Sequence, residues 1–198
     1  MVECAVMAII AYLIGSINFS VILSKKMAGF DVREKGSGNA GTTNMLRSVG
    51  KKAAAITLVL DILKGVVAIL IAMAIGRIFE NSNGALLVQV AGVAVILGHT
   101  FPIFFKFKGG KGVATSLGVL IMSNWQIGLI CLVFALILIA LTQIVSVGSI
   151  AAAILYPVLT LFIPQNYIVP GNYLIYSIVL AVIIVFNHRE NVKRLLSG

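Results

Sequence analysis

The chain has 198 residues, 60% of them hydrophobic and 11% charged, with a mean hydropathy of +1.10 and a formal charge of +9. That balance excludes an ordinary soluble domain, and spans of about 20 residues leave no room for one beside the membrane part. The reading is an all-α membrane protein, a single integral membrane domain over 1–198; the positive charge is a topology signal rather than a nucleic-acid footprint.

In chain order, apolar runs at about 4–23, 54–76, 85–105, 113–123, 125–142, 147–163 and 173–187 predict about seven transmembrane helices. The N-terminal MVECAVMAIIAYLIG carries Glu3 in place of a basic region and lacks a small-x-small cleavage pattern, so it is expected to stay as the first span. The fourth run reaches only about half of a ~30 Å hydrocarbon core, so it either crosses or forms a hairpin with the fifth. Walking through seven spans puts every Lys and Arg on one side except Arg77 and the intramembrane Lys64. The positive-inside rule makes that side cytoplasmic, with the N-terminus out and the C-terminus in. The opposite loops, GRIFENSNG, SNW and IPQNYIVPGN, are short and nearly uncharged, with Trp125, Tyr167 and Tyr173 expected as interfacial aromatics. Cys4 and Cys131 lie in apolar runs and read as small buried hydrophobes.

The polar detail gathers in three cytoplasmic segments, 24–52, 106–112 and 187–198. In EKGSGNAGTTN, the residues Gly36, Ser37, Gly38, Asn39, Gly41, Thr42, Thr43 and Asn44 read as a glycine nest for an anion or a flexible interfacial loop. A short surface helix over 39–49 would be capped by Asn39 or Thr42, with Arg47 one turn beyond Thr43. The spelling G-x-G-x-x-G from Gly36 to Gly41, with Asp61 further on, is not a dinucleotide fingerprint. It follows the charged DVREK rather than a buried strand, and Asp61 lies in a span.

The second segment, FKGGKGVATS, departs from a nucleotide-binding P-loop because Gly112 follows Lys111 where Ser or Thr is required. It reads as a glycine turn of Gly109, Gly110 and Gly112 opening the helix 113–123. Lys106, Lys108 and Lys111 stand beside it, Thr115 and Ser116 lie in its first turn, and His99 is at the same face. In the third segment, FNHREN, a continuous helix would put Asn187 and Asn191 on one face beside His188, with Glu190 nearby. Asp61 and Lys64 cost about 2.5–3.5 kcal/mol each at mid-membrane and are expected to pair at i, i+3 or to support the polar site. Ser146 and Ser149 sit at the inner end of the sixth span. Nucleophile-elbow and metal-ligand patterns are missing from the sequence, so a reaction here would run by positioning and electrostatics, on an already activated substrate.

Taken together, GSINF, EKGSGNAGTTNMLR, GHTFPIFFKFKGGKGVATSLG and FNHREN resemble the bacterial acyl-phosphate:glycerol-3-phosphate acyltransferase family, over roughly 60 residues spread in order along the chain. The resemblance implies a seven-helix bundle in the bacterial cytoplasmic membrane. It also implies transfer of a fatty acyl group from acyl phosphate to the 1-hydroxyl of glycerol 3-phosphate, giving lysophosphatidic acid and phosphate in the first step of phospholipid biosynthesis. Ser37, Asn39 and Arg47 match the first motif's functional positions, and Lys111 with Gly109, Gly110 and Gly112 the phosphate-binding loop. His188 and Asn191 match the third motif's polar pair, Glu190 its structural acidic position, and Ser146 or Ser149 a further site serine. Gln143 replaces the family's usual Arg after Thr142. The substrates acyl phosphate and glycerol 3-phosphate and the surrounding lipid are the implied partners, with no cofactor, metal, nucleic acid or obligatory protein partner. A transporter of a phosphorylated anion is the rival reading, but it requires a polar path to the outer face; a non-enzymatic scaffold explains neither glycine-rich loop.

Overall fold

The computed structural model describes residues 2–79, 83–163 and 169–197, and those residues form helices and connecting loops without strands. The helices are α1 (Val2–Ser16), α2 (Phe19–Ala28), α3 (Thr42–Ser48), α4 (Lys51–Ile78), α5 (Gly84–Thr100), α6 (Val113–Ser123), α7 (Trp125–Thr142), α8 (Val145–Phe162), α9 (Leu174–Asn187) and α10 (Arg189–Leu196). Five spans are long and apolar enough to cross a membrane, α1 and α2 together making one, and α9 with α10, bent by 57°, can make a sixth. The chain is a multi-pass membrane protein. The 11-residue α6 folds back on α7 at Asn124, whose side chain accepts the Ile127 N–H at 3.2 Å and so caps the second arm.

The first apolar run is not one helix. It breaks at Ile17 and Asn18, where the Asn18 side chain accepts from the Val21 N–H at 3.1 Å and starts α2. The carbonyls left over at the end of α1 are taken by α4: Lys64 donates to Gly15 O at 3.1 Å and Ile17 O at 3.0 Å. Asp61, one turn earlier, meets the same ammonium at 2.9 Å, and His99 of α5 stands 3.5 Å from that carboxylate. The expected i, i+3 pair therefore forms, and it ties α4 to the α1–α2 break and to the end of α5.

Helix contacts are close because glycines sit at them. A Cβ on Gly98 of α5 would overlap the Tyr12 carbonyl of α1, and one on Gly118 of α6 the Ile62 carbonyl of α4. Met7, Ile69, Leu87, Ile96, Val119 and Ile127 fill the main core between them. A second small core of Val21, Val32, Ala40, Met45, Ala53 and Ala54 underlies the polar segment 29–50, so that segment is a packed structure rather than a flexible loop.

Three local expectations are corrected. Neither Asn39 nor Thr42 caps α3; Gly41 is its cap residue, and Thr42 is already helical. FNHREN is not one helix, since His188 ends α9 and begins α10. Tyr173 is fully buried, donating to Val169 O at 2.9 Å and meeting Tyr176 edge to face, so it packs the bundle rather than facing the interface. Trp125 is 54% exposed, and Tyr167 lies outside the described residues.

Candidate active site

A cavity of about 940 Å³ opens where the three polar segments meet. Its polar end carries Ser37, Asn39, Arg47, Lys111, His188 and Asn191; its far end is Leu120, Cys131, Tyr156 and Leu180. One chamber thus joins a cationic mouth to an apolar interior, the shape that an amphiphilic anion fills.

The first wall is fastened by side chains. Arg33 donates to both Asp31 oxygens, at 2.9 and 2.7 Å, and holds that carboxyl down at about 2 against the desolvation that would raise it. The same guanidinium donates to Phe105 O at 2.7 Å and Lys108 O at 3.1 Å, clamping the second polar segment against the first. Asn44 gives its amide N–H groups to Val32 O and Lys35 O, and its oxygen accepts the Ser37 N–H at 2.9 Å. Gly38 N–H goes to Lys35 O at 3.1 Å. Since those donors are engaged, the GSGN turn is a shaped support rather than an open nest. The turn gives Ser37 and Asn39 to the cavity lining, and α3 adds Thr42, Asn44, Leu46 and the i, i+4 pair Thr43 and Arg47.

In the second wall Gly109 and Gly110, expected in the phosphate-binding turn, stand behind the cavity surface. Gly109 N–H donates to Thr100 O and Gly110 N–H to His99 O, each at 3.1 Å, and neither residue lines the cavity. They are glycines because of close approach: a Cβ on Gly109 would overlap the His99 carbonyl, and one on Gly110 the His99 Nε2. Gly112 differs, with φ 86°, turning the chain into α6 so that the first turn, with Val113 and Ala114, opens on the cavity. Lys111 precedes it and donates to the Asn191 side-chain oxygen. Burial, with the nearby Arg194 charge adding to it, lowers the Lys111 ammonium to about 8. Asn187 secures this corner, donating to Thr100 Oγ1 at 3.1 Å and Lys111 O at 3.3 Å.

His188 is 3% exposed, and its Nδ1 lies 2.7 Å from Ile184 O. A ring nitrogen that close to a carbonyl carries the proton, so Nε2 keeps its lone pair. Ser146 and Ser149 both line the cavity; the Ser149 hydroxyl donates back to Val145 O at 2.9 Å, a bond that Ser146 does not make. Asp61 and His99 reach the cavity from below, whereas Lys64 stays behind them.

The remaining expected positions fall outside the cavity. Gly36 has φ 59° and lies against the Asn44 side chain, and Gly38 has φ 72°. Lys106 is exposed on a turn with φ 57° and does not line the cavity. Thr115 is fully buried, its backbone against Gly65 of α4, so it belongs to a helix contact. Glu190 is exposed and reaches only Lys193 at 3.8 Å and Arg189 at 4.0 Å on its own helix, too loosely to support the fold. Gln143 ends α7 with φ 59° and turns its amide back onto Ala140 O at 2.7 Å.

Two polar residues at the mouth end of the lining, Ser116 and Arg194, are not candidate site residues in the sequence. Ser116 stands there only as part of the first turn of α6. The face Val113, Ser116, Leu117 and Leu120 runs at i, i+3, i+4, i+7, and that spacing is the signal that chooses Ser116 over Thr115. Arg194 reaches the cavity because the bend at His188 swings α10 back across the mouth, a turn the sequence does not announce.

Comparison with known proteins agrees along the whole chain. The sequence model of the family described as glycerol-3-phosphate acyltransferase matches residues 5–198. The glycerol-3-phosphate acyltransferase of Thermoanaerobacter pseudethanolicus is 46% identical over 191 residues, covering 96% of this chain and 91% of that protein. That of Clostridioides difficile is 41% identical over 193 residues, covering 98% and 92%. Among solved structures, the glycerol 3-phosphate form of PlsY (YgiH), an integral membrane glycerol 3-phosphate acyltransferase, superposes with a TM-score of 0.86 at 38% identity, covering 98% of this chain and 92% of that one. The lysophosphatidic acid form superposes with a TM-score of 0.84 at 37% identity, with the same coverage. With that breadth of match, the chain belongs to the glycerol-3-phosphate acyltransferase family.

Proposed function

We propose that this protein transfers a fatty acyl group from acyl phosphate to the 1-hydroxyl of glycerol 3-phosphate, releasing lysophosphatidic acid and phosphate at the cytoplasmic face of the bacterial inner membrane. The observation that carries this reading is the single cavity with Arg47, Lys111, His188 and Asn191 at one end and an apolar interior at the other. An acyl phosphate has the same division, an anionic head on a hydrocarbon chain. The PlsY structures hold glycerol 3-phosphate in one case and lysophosphatidic acid in the other, the acceptor and product of this reaction.

The hydroxyl oxygen of glycerol 3-phosphate attacks the acyl carbonyl carbon. The bond from that carbon to the bridging oxygen breaks, and phosphate leaves with the electron pair. The hydroxyl proton passes to substrate phosphate, with the His188 Nε2 lone pair as the second acceptor. Phosphate is a good leaving group, so no acyl-enzyme is needed. The protein's part is to hold two phosphates against Arg47, Lys111 and the α6 N-terminus while Ser37, Asn39 and Ser146 orient the glycerol. Among the described residues the far end of the cavity is lined mainly by Leu120, Cys131, Tyr156 and Leu180, which favours an acyl chain over the polar path that a transporter of the same anion requires.

Phosphate release from acyl phosphate by the purified protein in detergent, with and without glycerol 3-phosphate, tests the reading. Acceptor-dependent release with formation of lysophosphatidic acid is expected. Acceptor-independent release, or none, overturns it, and a trapped acylated residue overturns the direct attack.

A further inference from the structure

One wall of the cavity is a graded ruler. Along α8 the lining residues are Val145, Ser146, Ser149, Ala152, Ala153 and Tyr156, spaced i, i+1, i+4, i+7, i+8 and i+11 on one helix face. Past Val145 at the rim, their side chains run from two serines near the mouth, through two alanines, to a tyrosine. A groove floored by alanines admits a chain lying along the helix, and the first bulky group stops it. Tyr156 is 3% exposed, and Leu120, Cys131 and Leu180, drawn from three other helices, meet in the same packed core cluster. The depth of the groove is therefore closed by protein.

From this arrangement we propose that Tyr156 determines which acyl chain lengths the enzyme prefers, by ending the groove in which the chain of the acyl phosphate lies. The proposal rests on the acyltransferase reading above. Ser146 to Tyr156 is ten helical steps, about 15 Å. An extended hydrocarbon advances about 1.25 Å per carbon, from a ~1.5 Å bond at a near-tetrahedral angle, so about twelve carbons lie between the polar mouth and the ring. Carbons beyond those meet a packed wall and must bend out between the helices. Since the alternative environment is lipid, equally apolar, discrimination comes from the closeness of packing inside the groove and from clash at its end.

The test is a series of acyl phosphates from eight to sixteen carbons, presented at a fixed mole fraction in mixed micelles, with kcat/KM measured for the wild type, Tyr156→Ala, Tyr156→Phe and Ala153→Leu. Wild-type kcat/KM is expected to stop rising near twelve carbons. Tyr156→Ala moves that break to longer chains and raises the sixteen-to-twelve ratio about tenfold, the low end of what a methylene is worth in a fitted pocket. Tyr156→Phe keeps the wild-type profile, since the ring and not the hydroxyl is the stop. Ala153→Leu fills the groove midway and lowers the twelve-to-eight ratio by a similar factor, an independent reading should Tyr156→Ala not fold. The KM for glycerol 3-phosphate stays unchanged throughout. Turnover with profiles that do not respond to these substitutions overturns the gauge alone; absence of wild-type turnover with every chain overturns the acyltransferase reading itself.

Discussion

Lys111 joins three influences in one side chain: partial burial, the charge of Arg194, and a hydrogen bond to Asn191. Its ammonium, lowered to about 8, is charged below that pH and neutral above it. Because kcat/KM reports the free enzyme, it should fall as pH rises through about 8. Lys111→Arg, whose guanidinium stays charged, should lose that alkaline limb while running more slowly at neutral pH. Stability moves the other way: the folded state holds the proton less tightly than the unfolded chain, whose ordinary value is 10.5, so this group favours folding increasingly as pH rises from about 8 to 10.5. Opposite pH trends in activity and thermal unfolding would separate a catalytic charge from a structural one. Lys111→Ala and Arg47→Ala should each cost about 1.5–3 kcal/mol per lost charge-assisted bond, lowering kcat/KM about 10- to 10²-fold for each such bond with the fold kept, as gel filtration and steady-state kinetics check.

The two serines of α8 give a second test at this scale. Ser149 uses its hydroxyl on Val145 O, whereas Ser146 lines the cavity without that bond. Ser146→Ala should raise the KM for glycerol 3-phosphate about tenfold, the loss of roughly one hydrogen bond to a charged group, and Ser149→Ala should change it little. Equal effects in the two variants would remove the distinction. Residues such as Lys111 and His188 are legible in the sequence because a charge or imidazole beside an apolar run needs a reason. Gly109 and Gly110 are ambiguous in the sequence because a phosphate-binding turn and a close contact ask for the same residue. Which one holds depends on His99 and Thr100, whose carbonyls take those N–H groups only after α5 and α6 have packed.

Among the elements, the apolar runs predict the long helices to within a few residues, since hydrocarbon thickness fixes both length and composition. The breaks at Asn18 and His188 are not legible. Each is a local polar interruption, and what holds it open is tertiary: Lys64 of α4 takes the carbonyls freed at the first, and α10 folds over the mouth at the second. Lys64→Met should therefore leave the buried Asp61 carboxylate with His99 alone and release the α1–α2 break together, destabilising by about 3–5 kcal/mol. Adding Asp61→Asn removes that charge and should recover part of that loss, though not the tether to Gly15 and Ile17. Thermal unfolding of both variants in detergent checks this. A double variant no more stable than the single would mean that the tether, rather than the charge pair, carries the energy.

For the molecule as a whole, orientation is the property on which the site's access to water-soluble glycerol 3-phosphate depends. Of the 15 lysines and arginines, all but Lys64 and Arg77 lie in or beside the segments that gather at the cavity mouth. Arg77 ends α4 at the far end of a 28-residue helix, so the bundle is electrically one-sided. Cations near the ends of spans are retained on the cytoplasmic side, and that bias should place the mouth inward. Two exposed positions report the two ends: Lys35 on the polar segment beside the mouth, and Phe79 just past α4. In a background carrying Cys4→Ser and Cys131→Ser, Lys35→Cys should resist a membrane-impermeant maleimide on intact cells and label after permeabilisation, whereas Phe79→Cys should label in both. The reverse pattern would turn the mouth outward and leave the cavity proposed to hold two phosphates cut off from the cytoplasmic acceptor, so this measurement bears on the proposed reaction as well as on topology.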